Sequence, residues 1–174
     1  MDRRSAYIIN AAPGVGKTTL MKNLHARLQG SFALIDGDDV GKVVPYGNSL
    51  NWLNMMQDNI ADCCANFMRY GYTHCVISFV FPSEDRLNRI KGLLFARGFD
   101  TVHIILDCED DEICRRIVQR NTSKLINPEQ TKIINQDLKK LTAALRVDTT
   151  AMVPEAVVTT VIEYITGGCA HAMD

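Results

Sequence analysis

Apolar residues recur along this chain at two alternating periods. Compact runs such as Ala6-Tyr7-Ile8-Ile9 and Cys75-Val76-Ile77 read as buried strands. Between them, Leu20, Leu24 and Leu28, and then Leu53, Met56, Ile60, Cys63, Phe67 and Tyr70, recur at three- and four-residue steps, the spacing of one helical face. The pattern predicts strands at 6–10, 32–36, 74–80, 101–106 and 145–148. It predicts helices at 17–29, 50–70, 84–97, 111–120, 129–145 and 154–165. Gly71 stops the second helix, and Pro154 opens the last, whose Val157, Val161 and Ile165 share one face. Strict alternation of strand and helix predicts an α/β fold of three layers, a parallel sheet covered on both sides.

With 174 residues the chain fits one domain, expected over 1–166, with 167–174 as a frayed tail. Two polar loops, 41–49 and 121–128, are expected to be mobile. The formal charge of −1 gives no electrostatic case for nucleic acid or a membrane surface as partner. No apolar run reaches bilayer length, and the start of the chain leads directly into a strand, so a cytoplasmic protein is expected. The six cysteines contain no Cys-x-x-Cys. Cys63 and Cys64 sit mid-helix, Cys75 in a strand, and Cys108 and Cys114 flank an acidic turn; reduced thiols are expected. Cys169 and His171 are too few for a metal site.

One stretch changes the picture. Ala11-Ala12-Pro13-Gly14-Val15-Gly16-Lys17-Thr18-Thr19 follows the first strand and opens the first helix. A small-residue turn in that position lets the stretch Pro13 through Thr19 cradle a β-phosphate, with consecutive N–H groups from Gly14 onward curling around it at the positive end of a helix dipole. Lys17 can bridge β- and γ-phosphates, and the Thr18 hydroxyl can ligate the Mg²⁺ that a nucleoside triphosphate carries. Ala11 stands where the strict motif has its first glycine.

The second strand ends in Leu34-Ile35-Asp36-Gly37-Asp38-Asp39. In an extended segment residues two apart face the same way, so Asp36 and Asp38 are expected to project together from the carboxyl end of this strand, where ligands bind in open parallel sheets. One can hold a metal-bound water and the other can take the proton of an attacking hydroxyl. The apolar strand at 74–80 ends in Phe81-Pro82-Ser83 with no carboxylate, and there is no Asn-Lys-x-Asp element for guanine. The metal-organising carboxylate is therefore expected at Asp36, which favours a small kinase over a motor or switch.

With these motifs the chain resembles the small P-loop kinases that include shikimate, gluconate and adenylylsulfate kinases, over nearly its full length. The resemblance implies a P-loop NTPase fold with a five-stranded parallel sheet in the order 2-3-1-4-5 and a small lid at about 121–128. It implies Mg²⁺ organisation by Asp36 and base catalysis or substrate binding by Asp38, with ATP as co-substrate. Pro82 and Asp85-Arg86 resemble an element of adenylylsulfate kinases. Leu106-Asp107 through Arg120 resembles the acidic turn and Arg-rich helix that enter the lid. The resemblance places Arg120 over the adenine and Arg116 near the phosphates; Glu112, four residues before Arg116, fits a solvated ion-pair face equally well. The lid of this chain offers Lys124 and no arginine.

The acceptor is expected between the 41–49 loop, the polar face of the second helix (Asn51, Asp58, Asn59, Asp62) and the 81–86 loop. Arg69 and Arg86 are the nearby cations, and Trp52, Tyr46 and Phe81 are ring candidates. Sparse arginines lean toward a neutral or mildly charged hydroxyl compound: a nucleoside, a sugar or an antibiotic-like molecule. A nucleoside monophosphate kinase and a regulatory nucleotide-binding ATPase without an acceptor remain open. So do a monomer and a homodimer.

Overall fold

A computed structural model describes residues 4–44, 49–120 and 127–170, with Arg120 and 168–170 described by backbone alone. Five strands, β1 (Ser5–Asn10), β2 (Phe32–Asp36), β3 (His74–Phe79), β4 (Asp100–Asp107) and β5 (Leu145–Asp148), form one sheet in the order β2-β3-β1-β4-β5. Every pairing is parallel. Six helices alternate with them: α1 (Lys17–Arg27), α2 (Leu50–Arg69), α3 (Glu84–Phe95), α4 (Asp110–Arg120), α5 (Pro128–Lys140) and α6 (Pro154–Ala170). The predicted α/β fold and strand order are both present.

Alternation along β1 assigns the layers. Tyr7 and Ile9 face a core shared with Leu20 and Leu24 of α1, Ile113 of α4, Leu138 of α5 and Val158 of α6. Ala6 and Ile8 face the opposite core, with Met56 and Ile60 of α2 and Leu87 and Ile90 of α3. Successive strand residues point to opposite faces, so one strand serves two cores and its apolar run is continuous. The switch from β1 to β3 on one side and β4 on the other leaves a crevice at the carboxyl ends of the strands, where ligands dock in such sheets.

Several boundaries differ from the sequence pattern. The helix predicted at 129–145 stops at Lys140, and Leu141 is extended with φ −77° and ψ 146°. The chain must cross to β4 there, where Leu145 pairs with Ile104, and a helix through 145 would prevent that pairing. α6 continues through Ala170, into the stretch expected to fray. The loop expectations at 45–48 and 121–126, with Tyr46 and Lys124, lie outside the described residues. Among the described residues no helix is long and apolar enough to cross a membrane. The five described cysteines are free thiols, as the spacing predicts.

A buried polar knot holds the working end of the sheet. Asn10, at the end of β1, accepts from the Phe81 N–H (3.0 Å) and donates to the Phe81 carbonyl (2.9 Å). The His103 Nδ1–H donates to the Thr142 carbonyl at 2.7 Å, which leaves Nε2, 3.2 Å from the Asn10 amide, as the acceptor. Burial pushes the His103 pKa down, consistent with a neutral ring. The knot ties β1, β4 and the β3–α3 loop together directly below the loop that opens α1.

Candidate active site

The loop between β1 and α1 is formed as the small-residue motif predicts. Gly14 and Gly16 have φ of 82° and 126°, a region that L-side chains rarely occupy. No side chain caps the start of α1, so the N–H groups of its first turn meet the loop mouth, a geometry that suits an anion. The Lys17 ammonium folds back over the loop and donates to the carbonyls of Ala11 (2.6 Å) and Ala12 (3.2 Å). The missing first glycine has a simple account: Ala11 and Ala12 are fully buried in the core.

This loop is the ridge between two cavities, and Gly14 and Gly16 line both. The first, of about 440 Å³, runs from Val15 and Thr19 to Arg115, Arg116 and the residues 149–154 that connect β5 to α6. The second, of about 640 Å³, holds Lys17, Thr18 and Asp38 at one end and Trp52, Pro82 and Arg86 at the other.

Asp36 and Asp38 reach this region by a route the extended reading did not foresee. The chain leaves β2 at Asp36 and turns through a 3-10 turn over Gly37–Asp39, so Asp38 is not on the strand. The Asp36 carboxylate caps that turn, accepting from the Asp38 N–H at 3.1 Å. Asp38 lines the second cavity beside Lys17 and Thr18, whereas Asp36 lines neither. Burial raises the Asp36 pKa, the Asp38 N–H opposes it, Asp38 and Asp39 add to it, and Lys17 lowers it. A carboxylate pressed this way by like charges gains most from a nearby cation.

Gly37 permits a close approach of an unexpected kind. A Cβ there would lie 2.5 Å from Cδ2 of Phe79, so the backbone packs on a ring of its own protein rather than on a ligand. We expect Gly37→Ala to cost about 1–3 kcal/mol by overpacking. Calorimetric melting should register it as a fall of about 2–4 °C per kcal/mol for a domain of this length.

Arg116 is brought to the first cavity, but its donors are spent on the protein. Nε binds Glu112 (2.7 Å); Nη1 binds the Val15 carbonyl and the Thr149 hydroxyl (both 3.2 Å); Nη2 binds the carbonyls of Thr149 (2.7 Å) and Thr150 (3.2 Å). A guanidinium has five N–H donors, and all five are engaged. With these bonds Arg116 clamps the phosphate loop to the β5–α6 connection, and the ion pair with Glu112 that its spacing allows is formed. Glu112 also takes two bonds from Arg115, and the two arginines hold its carboxyl down at about 2. Arg120 ends α4, and its side chain lies outside the described residues.

The acceptor side differs more from expectation. The polar residues of α2 are used for packing: Asp58 pairs with Arg89 (3.0 Å), Asp62 with Arg97 (2.6 Å), and Asn59 donates to the Val40 carbonyl (2.8 Å). Arg69 donates to Asn66 and borders a groove remote from the phosphate loop. Trp52, Leu53 and Gln57 are the α2 residues that line the second cavity, on the neighbouring stripe of the helix. Pro82 and Arg86 are brought there as the resemblance implies, while Asp85 lies exposed in the first turn of α3. Gln130 and Ile134 of α5 also line it, contributed from a helix 113 or more residues beyond Lys17 that no local pattern could have placed.

Residues 8–147 match the model of an AAA domain family. The chain belongs to this family. The matched span runs from β1 through the phosphate loop and the Asp36–Asp39 turn to β5. The 149–154 connection follows it. A search of curated protein sequences finds no match. Among solved structures, the tunicamycin resistance protein of Deinococcus radiodurans is similar over 95% of this chain and 96% of its own, at 19% identity and TM-score 0.70. A gluconokinase of Sinorhizobium meliloti is similar over 100% of both chains, at 12% identity and TM-score 0.66. The APS kinase of Mycobacterium tuberculosis is similar over 95% of this chain and 99% of its own, at 12% identity and TM-score 0.66. At these identities the likeness is one of fold. Within this AAA domain, β3 carries Ser78 in register with Asp36 of β2, and no carboxylate follows it before the Pro82 turn.

Proposed function

We propose that this chain is an ATP-dependent kinase that transfers the γ-phosphoryl group to a hydroxyl of a small molecule. One observation carries the reading: a phosphate loop forms the ridge between two cavities, with Asp38 in the second. A nucleotide lying along that ridge has its base in the cavity of Arg115 and residues 149–154 and its γ-phosphate at Lys17. The acceptor hydroxyl then attacks the γ-phosphorus as the bond to the β,γ-bridging oxygen breaks. Asp38 takes the hydroxyl proton, and ADP leaves. The N–H groups of the loop from Gly14 to Thr19 hold the phosphates, and Pro13 shapes the turn. Lys17 swings from the carbonyls of Ala11 and Ala12 to the developing charge. Arg116 positions the base wall, and Arg120 is assigned to the base from its place at the end of α4. The kinases among the similar solved structures support the same reaction class, and the cytoplasm is proposed as its place.

The residues fit a magnesium ion brought in by the nucleotide. Among the described residues no cluster of three His, Cys, Asp or Glu side chains could hold a metal alone. Thr18 and Asp36 would therefore share it with the phosphates, the ion neutralising charge that develops on the transferred group. Ser78 supports the assignment. Its Oγ is buried with no hydrogen-bond partner, and the side chain shares Asp36's face of the sheet, that of Val76 and Leu34. A water held by Asp36 would satisfy this orphan hydroxyl. We expect Ser78→Ala to leave metal-free ATP affinity unchanged and to weaken the magnesium-dependent gain about tenfold, as loss of an outer-shell partner does. Titration calorimetry with ATP in magnesium and in EDTA reads both; an unchanged gain removes Ser78 from the assignment.

The kinase reading itself is tested by coupled ADP release. ADP formation should rise on addition of a hydroxyl compound, with the phosphate recovered on it. Turnover indifferent to every acceptor would instead identify an ATPase.

A further inference from the structure

The second cavity has the lining of a ring-binding cup. Apart from the phosphate loop and Asp38, its half-buried wall consists largely of Trp52, Leu53, Val80, Pro82 and Ile134. Phe79 and Phe81 form its floor, packed edge to face at 5.3 Å and themselves buried, so the floor is rigid. The Trp52 indole is held in one plane by a 2.9 Å bond from Nε1–H to the Gly41 carbonyl. That bond directs the indole's own donor to the protein, and the indole forms part of the cavity wall.

Besides Asp38 and the phosphate loop, the polar side chains of the cup are Gln57, Ser83, Arg86 and Gln130; Ser83 caps α3, its hydroxyl accepting from the Arg86 N–H (3.4 Å). Gln57 donates to the Arg86 carbonyl (2.7 Å) and accepts from Arg89 (3.3 Å). Arg86 gives one Nη1 bond to Asn54 (2.9 Å), and its Nε and Nη2 have no protein acceptor among the described residues. Apart from Lys17 of the phosphate loop, Arg86 is the only cation among the described residues that line this cavity.

From this lining we infer the class of the acceptor: a ring-bearing hydroxyl compound, neutral or singly anionic, with a flat apolar body. Its ring lies against Trp52, its hydroxyl reaches Asp38, and one carbonyl or carboxylate oxygen is held by Arg86. The inference rests on the kinase reading and sharpens it. A polyol such as a sugar acid would bring many hydroxyl groups against carbon, and each one buried without a partner costs about 1–3 kcal/mol. A phosphomonoester would bring nearly two negative charges to a single guanidinium, where paired and well-satisfied charge is required. The cavity volume of about 640 Å³ falls within the usual range for small-molecule sites, about 300–1,000 Å³.

Trp52 is the single tryptophan of the chain, so it reports directly on the cup. The probes are 4-(hydroxymethyl)benzoate and its amide as ring alcohols, gluconate as a polyol acid, and uridine monophosphate as a phosphomonoester. Titrated in the presence of magnesium and a non-hydrolysable ATP analogue, both ring alcohols should change Trp52 fluorescence, and both should accelerate ADP release from Mg·ATP. Gluconate and uridine monophosphate should do neither. Trp52→Leu should raise the KM of the ring alcohols about tenfold while leaving the KM of ATP in place, with Trp52→Phe restoring most of the loss. Arg86→Gln should weaken the benzoate more than the amide, because the charged oxygen gains more from the guanidinium. The class assignment is overturned if gluconate or the monophosphate gives the higher kcat/KM, or if neither ring alcohol perturbs Trp52 or ADP release. Calorimetry with Mg·ATP separates the two levels: a protein that binds ATP and phosphorylates gluconate remains a kinase with a different acceptor. One that binds no ATP loses the kinase reading as well.

Discussion

Asp38→Asn is expected to lower kcat with any true acceptor by about 10²–10⁴-fold, the usual contribution of a positioned general base. The KM for ATP should barely move, because the carboxylate acts on the acceptor proton and not on the bound nucleotide. The effect depends on where the turn puts the residue. Asp38 lines the acceptor cavity with Lys17 and Thr18, while Asp36 is turned to the job of capping the Gly37–Asp39 turn. The amide preserves size and removes only the basic oxygen, so the fold should be unaffected. Single-turnover phosphate transfer, with ATP affinity measured by calorimetry on the same protein, provides the check. Full transfer rate in the variant would assign the proton to another group.

Lys17→Ala should reduce ATP turnover by at least about 10²-fold, the scale on which losing one donor to transition-state charge is felt. The side chain also makes two bonds to the carbonyls of Ala11 and Ala12. A hydrogen bond from a charged donor contributes about 1.5–3 kcal/mol at most, and part of this is recovered by water at a site that is only half-buried. Against a total stability of about 5–15 kcal/mol the variant should remain folded. Circular dichroism melting together with ADP release distinguishes the two effects. An unfolded variant would mean that the lysine is mainly a brace for the loop, and a folded, fully active one would remove it from the chemistry.

Lys17 and Asp38 differ in how far local pattern determines their place. The phosphate loop is a contiguous motif whose geometry depends on near neighbours: Gly14 and Gly16 at positive φ, and a helix start immediately after them. Strands and helices of the sheet were legible because burial on one or two faces imposes a period on the residues, and alternation of the two periods implies parallel crossover. The Asp36-Gly37-Asp38 segment was legible in its residue types and misread in its shape. An extended strand and a 3-10 turn use the same acids, and the choice was made by a side-chain cap that local period does not encode.

The roles of charged residues on helices were the least legible. Asn59, Asp58 and Asp62 occupy a polar face of α2 that could equally have met a substrate or the protein, and the protein prevailed: Asp58 pairs with Arg89 of α3, Asp62 with Arg97 just beyond it, and Asn59 with the Val40 carbonyl. Arg116 was ambiguous between an ion pair and a phosphate ligand. It proved to be a clamp because Val15 and Thr149, 101 and 33 residues away, bring carbonyl oxygens to it. By itself, then, the sequence determined the sheet, its order by family pattern, and the anion-binding loop, since each depends on local period or on one short motif. Only the tertiary structure decided which stripe of α2 faces the acceptor, which acid enters its cavity and how Arg116 is employed. Those outcomes depend on partners far apart in the chain, whose meeting is set by packing and not by spacing.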